Sequence, residues 1–345
     1  MTHLSVLSGY SDYLEDEVPL YRSAKTVQIL LMRETHDYSI FRTEETRELN
    51  AVALPMSSAD PTETLKVAFL ASKQKAPESR AYITLFRTYA GRLGVKLPPE
   101  VQRCALKDRL CMQCPRCVLF GAVSTETGRG ARWNIKHRIE YSTAYSVEPY
   151  EEIMEILTFN AVDPITQSTE QALGSTQNVQ PLAHFPSVVT LNSVTEAELI
   201  WYLKTLLATK SYGAESRVKG DVVNHVLGVA FGMEEVITSL EYSLEMAATR
   251  EDWLSGSEDP VELTERILRS YSEHAAFPSA VKVMPAEEVR SLVEEVRGFE
   301  PNAEFIQGML RASKSLKEKV EEYMSSAGRG GRRGRRSGGG QQQGE

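Results

Sequence analysis

Cysteine is nearly missing from this chain: there are four in 345 residues. So few thiols in so long a chain exclude the disulfide framework of small secreted domains. Long apolar runs are missing too. No stretch approaches the roughly 20 residues that a helix needs to cross a bilayer, and the N-terminus has no secretory apolar region. Histidine is sparse, with six scattered residues, and no HExxH, GxSxG or GxGxxG pattern occurs. The motifs that announce metalloproteases, serine hydrolases and dinucleotide enzymes are therefore absent. Asp12, Asp16 and Asp37 are carboxylates that a metal could use, but acidic loop residues are usually just solvated, and none earns a catalytic role. The 41% hydrophobic and 25% charged content is that of a globular protein with two or three domains. Thiols left unpaired lead to the expectation of a reducing, cytoplasmic setting.

The four cysteines all fall in one stretch, Cys104 to Cys117, CALKDRLCMQCPRC. The spacing is C-x6-C-x2-C-x2-C, and thiolates gathered this closely suit a soft or borderline metal. A helix over Gln102 to Leu110 would place Cys104 and Cys111 on one face. Pro115 would then turn the chain so that Cys114 and Cys117 complete a tetrahedron. Zinc is the first reading, in a structural role, because four protein ligands leave no open position. The overlapping CxxCxxC also resembles an iron–sulfur run, although common ferredoxin spacings differ. Unliganded buried thiols are the plain alternative. His137 is a candidate fifth donor.

Charge is segregated. Residues 66–138 hold 15 Lys and Arg against 4 Asp and Glu, a net of +11 in a chain whose total is −8. A basic segment stapled by metal inside an acidic protein points to a surface that tracks phosphates. The competing reading is that these residues only solvate helix faces.

Along the chain, residues 1–23 read as a loop or extended arm. Thr26 to Arg33 reads as a buried strand, with Tyr38 to Thr43 as its hairpin partner, which would bring Arg33 and Arg42 together. Lys66 to Ser72 is a third strand. Tyr82, Leu85, Phe86, Tyr89, Ala90 and Leu93 form the stripe of an amphipathic helix, stopped by Gly94. Val118 to Ser124 reads as a strand, and Gly128 to Arg132 as a turn. Residues 158–182 form a long polar stretch of the kind that is usually functional. Ser187 to Leu191 is a strand, and Thr195 with Glu198 is a capping box for the next helix. Lys210 to Gly220 follows, with glycines to admit close backbone approach and Lys210, Tyr212, Arg217 and Lys219 for charge and stacking. It lacks the GK[ST] ending of a P-loop. His225 to Phe231 and Val236 to Met246 read as paired strands. Acidic helices follow from Arg250, then an Arg/Gly tail from Gly328 that is disordered by composition and holds five arginines suited to weak nucleic-acid contact.

Four stretches carry a resemblance: CMQCPRCVLFG at 111–121, HRIEYSTAYS at 137–146, HFPSVVTL at 184–191 and YGAESRVKGDVVNH at 212–225. Together they resemble the backbone subunit of type I-D CRISPR complexes, the second Csc component in the Cas-seven family of repeat-associated RNA-binding proteins. The resemblance spans roughly residues 20–325, leaving out the tail. It implies an α+β protein with a modified RRM or ferredoxin-like antiparallel sheet, a zinc-binding insertion and a helical insertion. The implied layout is a core from 1–65 and 139–250, a basic zinc insertion at 66–138, an acidic helical region at 251–325 and a disordered tail at 326–345. Within the core, 158–182 is the candidate for the thumb-like hairpin that interrupts the guide.

The resemblance further implies a prokaryotic, antiviral ribonucleoprotein. Its expected partners are the guide CRISPR RNA, target DNA, other surveillance-complex subunits and further copies of itself along the RNA, with no membrane. Arg33, Arg42, Lys210, Tyr212, Arg217 and Lys219 become candidate RNA contacts, with Arg129, Arg132, Lys136 and Arg138 facing RNA or the target strand. Type III relatives cut target RNA with a loop Asp that has no clear counterpart here, so the expectation is a non-enzyme. A metal-dependent single-strand nuclease and a zinc-stabilised protein–protein scaffold are the alternatives.

Overall fold

The computed structural model describes residues 4–42, 47–106, 109–123, 133–159, 165, 174–215 and 218–333. In chain order the strands are β1 (Thr26–Thr35), β2 (Ala51–Pro55), β3 (Glu63–Phe69), β4 (Ala122–Val123), β5 (Asn134–Ile135) and β6 (Ile139–Tyr141). They continue with β7 (Ala144–Tyr145), β8 (Met154–Phe159), β9 (Gly174–Val179), β10 (His184–Asn192), β11 (Val222–Gly232) and β12 (Lys282–Val283). The helices are α1 (Ala71–Arg92), α2 (Pro99–Gln102), α3 (Pro115–Phe120), α4 (Tyr150–Ile153) and α5 (Glu196–Ala208). After these come α6 (Ser239–Ala248), α7 (Arg250–Ser255), α8 (Pro260–Ser272), α9 (Ala286–Gly298) and α10 (Ala303–Arg333).

β1 is the middle of the molecule. It pairs antiparallel with β10 on one side and β11 on the other, within a sheet of order β12-β11-β1-β10-β6. Its apolar middle, Ile29 to Met32, follows from being covered on both faces. Val27, Ile29 and Leu31 join the core built with α1, α5 and α9, whereas Leu30 and Met32 join the core under α6 and α8. The two-residue period of a strand divides the layers.

Several elements differ from the sequence reading. Tyr38 to Thr43 is not a hairpin partner of β1, because both edges of β1 are already taken; Ser39 instead exchanges backbone hydrogen bonds with Val179. Val236 to Met246 is not a strand. Thr238 and Glu241 form a capping box that starts α6, and Tyr242 and Met246 are buried four residues apart, at helical spacing. The helix expected over Gln102 to Leu110 ends at Gln102, and Ala105 and Arg109 close a tight bridge. Val118 to Phe120 lies in α3, with only two strand residues beyond it. Thr195 and Glu198 do form the capping box of α5. Packing does not break at residues 66 and 138: α1 shares its core with α5 and β1. No helix among the described residues is long and apolar enough to cross a membrane.

Candidate nucleic-acid interface and metal centre

The thiol lobe hangs on the C-terminal half of α1. Arg87 on that helix donates to the carbonyls of Val101 (2.8 Å) and Cys104 (2.5 Å), anchoring the loop that carries the first cysteine. Cys114 caps α3, with Pro115 in the first turn, and its sulfur accepts from the Cys117 amide at 3.4 Å. The Cys104 sulfur accepts from the Cys111 amide, also at 3.4 Å. Met112, between the second and third cysteines, is held at φ 60°, a left-handed turn that few non-glycine residues adopt.

All four cysteines are buried, and their sulfurs lie within 4.8 Å of one another. The separations Cys104–Cys117, Cys104–Cys114 and Cys111–Cys117 are 3.5, 3.9 and 4.0 Å. A tetrahedral ion with metal–sulfur bonds near 2.3 Å holds its sulfurs about 3.8 Å apart, so the set is close to the spacing of a four-thiolate ion. Hydrogen bonds from Cys111, Cys114 and Cys117 push the Cys104 pKa down, so the cluster favours a first thiolate. His137 is not drawn in; its Nε2 lies 3.9 Å from Glu140.

The residues expected to touch RNA divide into two groups. Arg33, fully enclosed, is ion-paired to Glu78 at 2.9 Å and donates to Ser187 (3.0 Å) and Asn224 (2.7 Å). Tyr212 is buried as well, its hydroxyl donating to Glu78 at 2.9 Å and accepting from Asn224 at 2.8 Å. Arg138 pairs with Glu198 and donates to the Ser193 carbonyl at 2.8 Å. These three are corrections: each is buried, bonded to internal partners, and presents no face to a polymer. Lys66 and Arg116 of the basic segment are likewise consumed, the first by the carbonyls of Ser146 and Val147, the second by Ser79 and Gly121. The +11 therefore overstates what the surface offers.

The second group faces outward. Lys136 and Lys210 are exposed, as are Arg80, Arg92, Lys96, Arg103 and Arg109, and none of these forms an ion pair among the described residues. Lys219 is exposed beside Asp221, 2.8 Å away, while Arg42 is half-buried and reaches Glu215 at 2.6 Å. Arg129, Arg132 and Arg217 lie outside the described residues.

The Lys210–Gly220 loop also differs in its logic. Gly213 and Gly220 serve each other rather than a ligand: a Cβ on Gly220 (φ +63°) would sit 2.3 Å from the Gly213 carbonyl carbon. A Cβ on Gly213 would meet the Ile40 amide at 2.7 Å, so the loop is pressed onto the segment after β1. Gly220→Ala is expected to displace the loop and lower the melting temperature. Gly94→Ala, into open space at φ +68°, should cost only about the 1–2 kcal/mol of the left-handed conformation. Equal melting temperatures for the two variants would contradict this packing.

Residues 154–179 hold two strands, within and beside the stretch that the resemblance marks as a hairpin candidate. β8 and β9 pair over six residues each into a ribbon separate from the main sheet, with Ile156 exposed. Its base is tied to the segment after β1 through Ser39 and Val179. Of the stretch 158–182, residues 160–164 and 166–173 lie outside the described residues.

Taken together, these elements define a mixed α/β protein with antiparallel sheets, a thiol cluster able to hold a metal ion, and a separate two-stranded ribbon. The chain belongs to the Csc2 family of CRISPR proteins, matching the family described as Csc2 Crispr over residues 13–310. Csc2 of Thermofilum pendens, solved as a crystal structure, is 19% identical, with a TM-score of 0.60 over 97% of this chain and 99% of that one. That likeness establishes a shared fold. A chain of a CRISPR RNA-guided surveillance complex is similar at 15% identity and a TM-score of 0.40, covering 71% of this chain and 83% of its own, too distant to support more. No curated protein matches the sequence.

Proposed function

We propose that this chain is a guide-RNA-binding backbone subunit of a type I-D CRISPR surveillance complex, copies of which line up along the guide and hold it open for pairing with target DNA. The observation that carries the reading is family membership across residues 13–310. The sheet supports an RRM or ferredoxin-like core: in the order β11-β1-β10-β6, α1 falls between β1 and β6 in sequence, and α5 joins β10 to β11. The β8–β9 ribbon is the element suited to interrupt the guide. Zinc is the ion the four thiolates suit best, in a structural role. Sequence is then read by base pairing, while the protein grips phosphates and A-form shape. That work needs dispersed cations rather than a catalytic centre, in a prokaryotic cytoplasm.

The surface candidates narrow to Lys136, Lys210 and Lys219, with Arg42 available if it exchanges Glu215 for phosphate, and with Arg129, Arg132 and Arg217 beside them in sequence. Lys210→Ala with Lys219→Ala is expected to weaken single-stranded RNA binding on the order of tenfold. It should also flatten the slope of log K against log salt by about 1.4, since each released counterion contributes about 0.7. Filter-binding titrations at several salt concentrations measure both. An unchanged slope removes the loop from the interface, and no RNA binding by the parent protein favours the scaffold reading. Cleavage of single strands on adding divalent ions would favour the nuclease.

A further inference from the structure

Cations gather at the end of the main sheet where β1 begins. Arg22, just before β1, reaches Glu140 Oε1 of the edge strand β6 at 3.6 Å, and His137 reaches the same oxygen at 3.9 Å. Lys75 comes in from the start of α1. Its neighbour Gln74 donates to the Ser142 carbonyl at 3.0 Å, just past β6, and Ser79, one turn on, accepts from Arg116 at 2.8 Å. Lys136 is exposed just before β6. The carboxylate of Glu198 is paired with buried Arg138, and Glu140 is left facing Arg22, Lys75, Lys136 and His137.

The local field is positive. Burial, then the Arg116 charge, lowers the Lys75 pKa against the pull of Glu140. Burial, then Lys75, lowers that of His137, and Arg22 and Lys136 act in the same direction. Among the described residues neither Lys75 nor Lys136 forms an ion pair, and Nη2 of Arg22 is buried without a hydrogen-bond partner. A phosphate oxygen that drew Arg22 off Glu140 would give that nitrogen the partner it lacks. An open ring adjoins these charges. Tyr21, next to Arg22 in sequence, is 69% exposed and meets Tyr323 of α10 edge-on, 6.2 Å between centroids. Cations beside an exposed aromatic ring are what a single strand needs, since its phosphates pair and its bases stack.

We propose that Arg22, Lys75 and Lys136, with Tyr21 as a stacking ring, form a second contact for single-stranded nucleic acid, apart from the Lys210–Gly220 loop. This rests on the RNA-binding reading, but it moves Lys136 to a site of its own. The loop packs where β1 ends: the His36 amide donates to the Asp221 carbonyl, and the Ile40 amide to that of Gly213. The cluster packs where β1 begins, because β6 pairs with the last residues of β10 and these lie opposite the first residues of β1. The 10 residues of β1, at about 3.3 Å each, put roughly 30 Å between the two. One phosphate cannot serve both.

The probe is single-stranded oligouridylate, titrated by filter binding against the full chain at several salt concentrations. Arg22→Gln with Lys75→Gln is expected to weaken binding about tenfold and to flatten log K against log salt by about 1.4. Tyr21→Ala should weaken it about fivefold or more with the slope unchanged, because stacking releases no counterion. Arg22→Lys with Lys75→Arg keeps both charges and should keep the parental slope, which separates loss of charge from loss of fold. If the glutamine variant keeps the parental affinity and slope while Lys210→Ala with Lys219→Ala loses both, this site is overturned and the RNA-binding reading stands. A parent protein that binds no strand overturns both. Saturable heat from inorganic phosphate alone, lost in the glutamine variant, would make this a small-anion site and overturn the strand contact.

Discussion

Glu78→Ala is expected to destabilise the protein by about 3–5 kcal/mol, the loss that follows removal of one partner from a buried ion pair. Glu78 sits on α1 with its side chain fully enclosed, and four donors converge on it. Arg33 and Tyr212 reach Oε1, both at 2.9 Å, and Tyr141 and Tyr202 reach Oε2 at 2.6 and 2.7 Å. Burial alone would lower the Arg33 pKa, but the Glu78 charge reverses that and leaves it raised, so the guanidinium is charged at every accessible pH. Burial, aided by Glu78, raises all three tyrosines well above their ordinary value, which keeps them protonated donors. Removing the carboxylate takes the shared acceptor from a buried, charged guanidinium and three hydroxyls.

With about 2–4 °C lost per kcal/mol in chains of 150–250 residues, the melting temperature should fall by roughly 10 °C. Replacing both partners, Glu78→Leu with Arg33→Met, should recover much of the loss, because no orphaned charge remains. Tyr141→Phe, which removes a single hydrogen bond, should cost only about 1 kcal/mol. A Glu78→Ala protein melting within about 2 °C of the parent would show that the network is not holding α1, β1, α5 and the Lys210–Gly220 loop together.

The same network explains which parts of the molecule could be read in advance. β1 was visible because its middle, Ile29 to Met32, is apolar on both faces, and α5 because its capping box is local. The thiol lobe was visible because its four cysteines lie within 14 residues, although its local structure was not: a left-handed Met112 and N–H···S bonds form the turns where a helix had been expected. Arg33 and Tyr212 misled because a cation or ring near a glycine loop looks alike whether it faces a ligand or an internal carboxylate, and Glu78 is remote from both in sequence. His184 and His225 are likewise remote from Glu34 in sequence, and only the register of β10 and β11 on β1 brings them to it. Val236 to Met246 failed differently: its apolar residues fit either period, and the cap at Thr238 decided for the helix.

Cys114→Ser is expected to release the bound ion and to lower stability by several kcal/mol, with little loss of secondary structure in the central sheet. Cys114 is fully buried, caps α3, accepts the Cys117 amide and lies 3.9 Å from Cys104. A serine oxygen is a harder, poorer ligand for a borderline ion, and its shorter bond cannot reach the position that sulfur holds. The remaining thiols would bind more weakly and exchange readily. Because an ion held only by the folded state stabilises it by mass action, the melting temperature of the parent should rise with free zinc and fall with chelator, while that of the variant responds to neither. Both Arg87 contacts are to carbonyls of this lobe, so its loosening should reach α1 before the sheet, visible as faster amide exchange near Arg87 than in β1. Metal analysis on the native protein decides the ion: one zinc per chain supports the four-thiolate site, and iron with labile sulfide would replace zinc by a cluster. Full retention of metal by Cys114→Ser would mean that the ligand set is wrong.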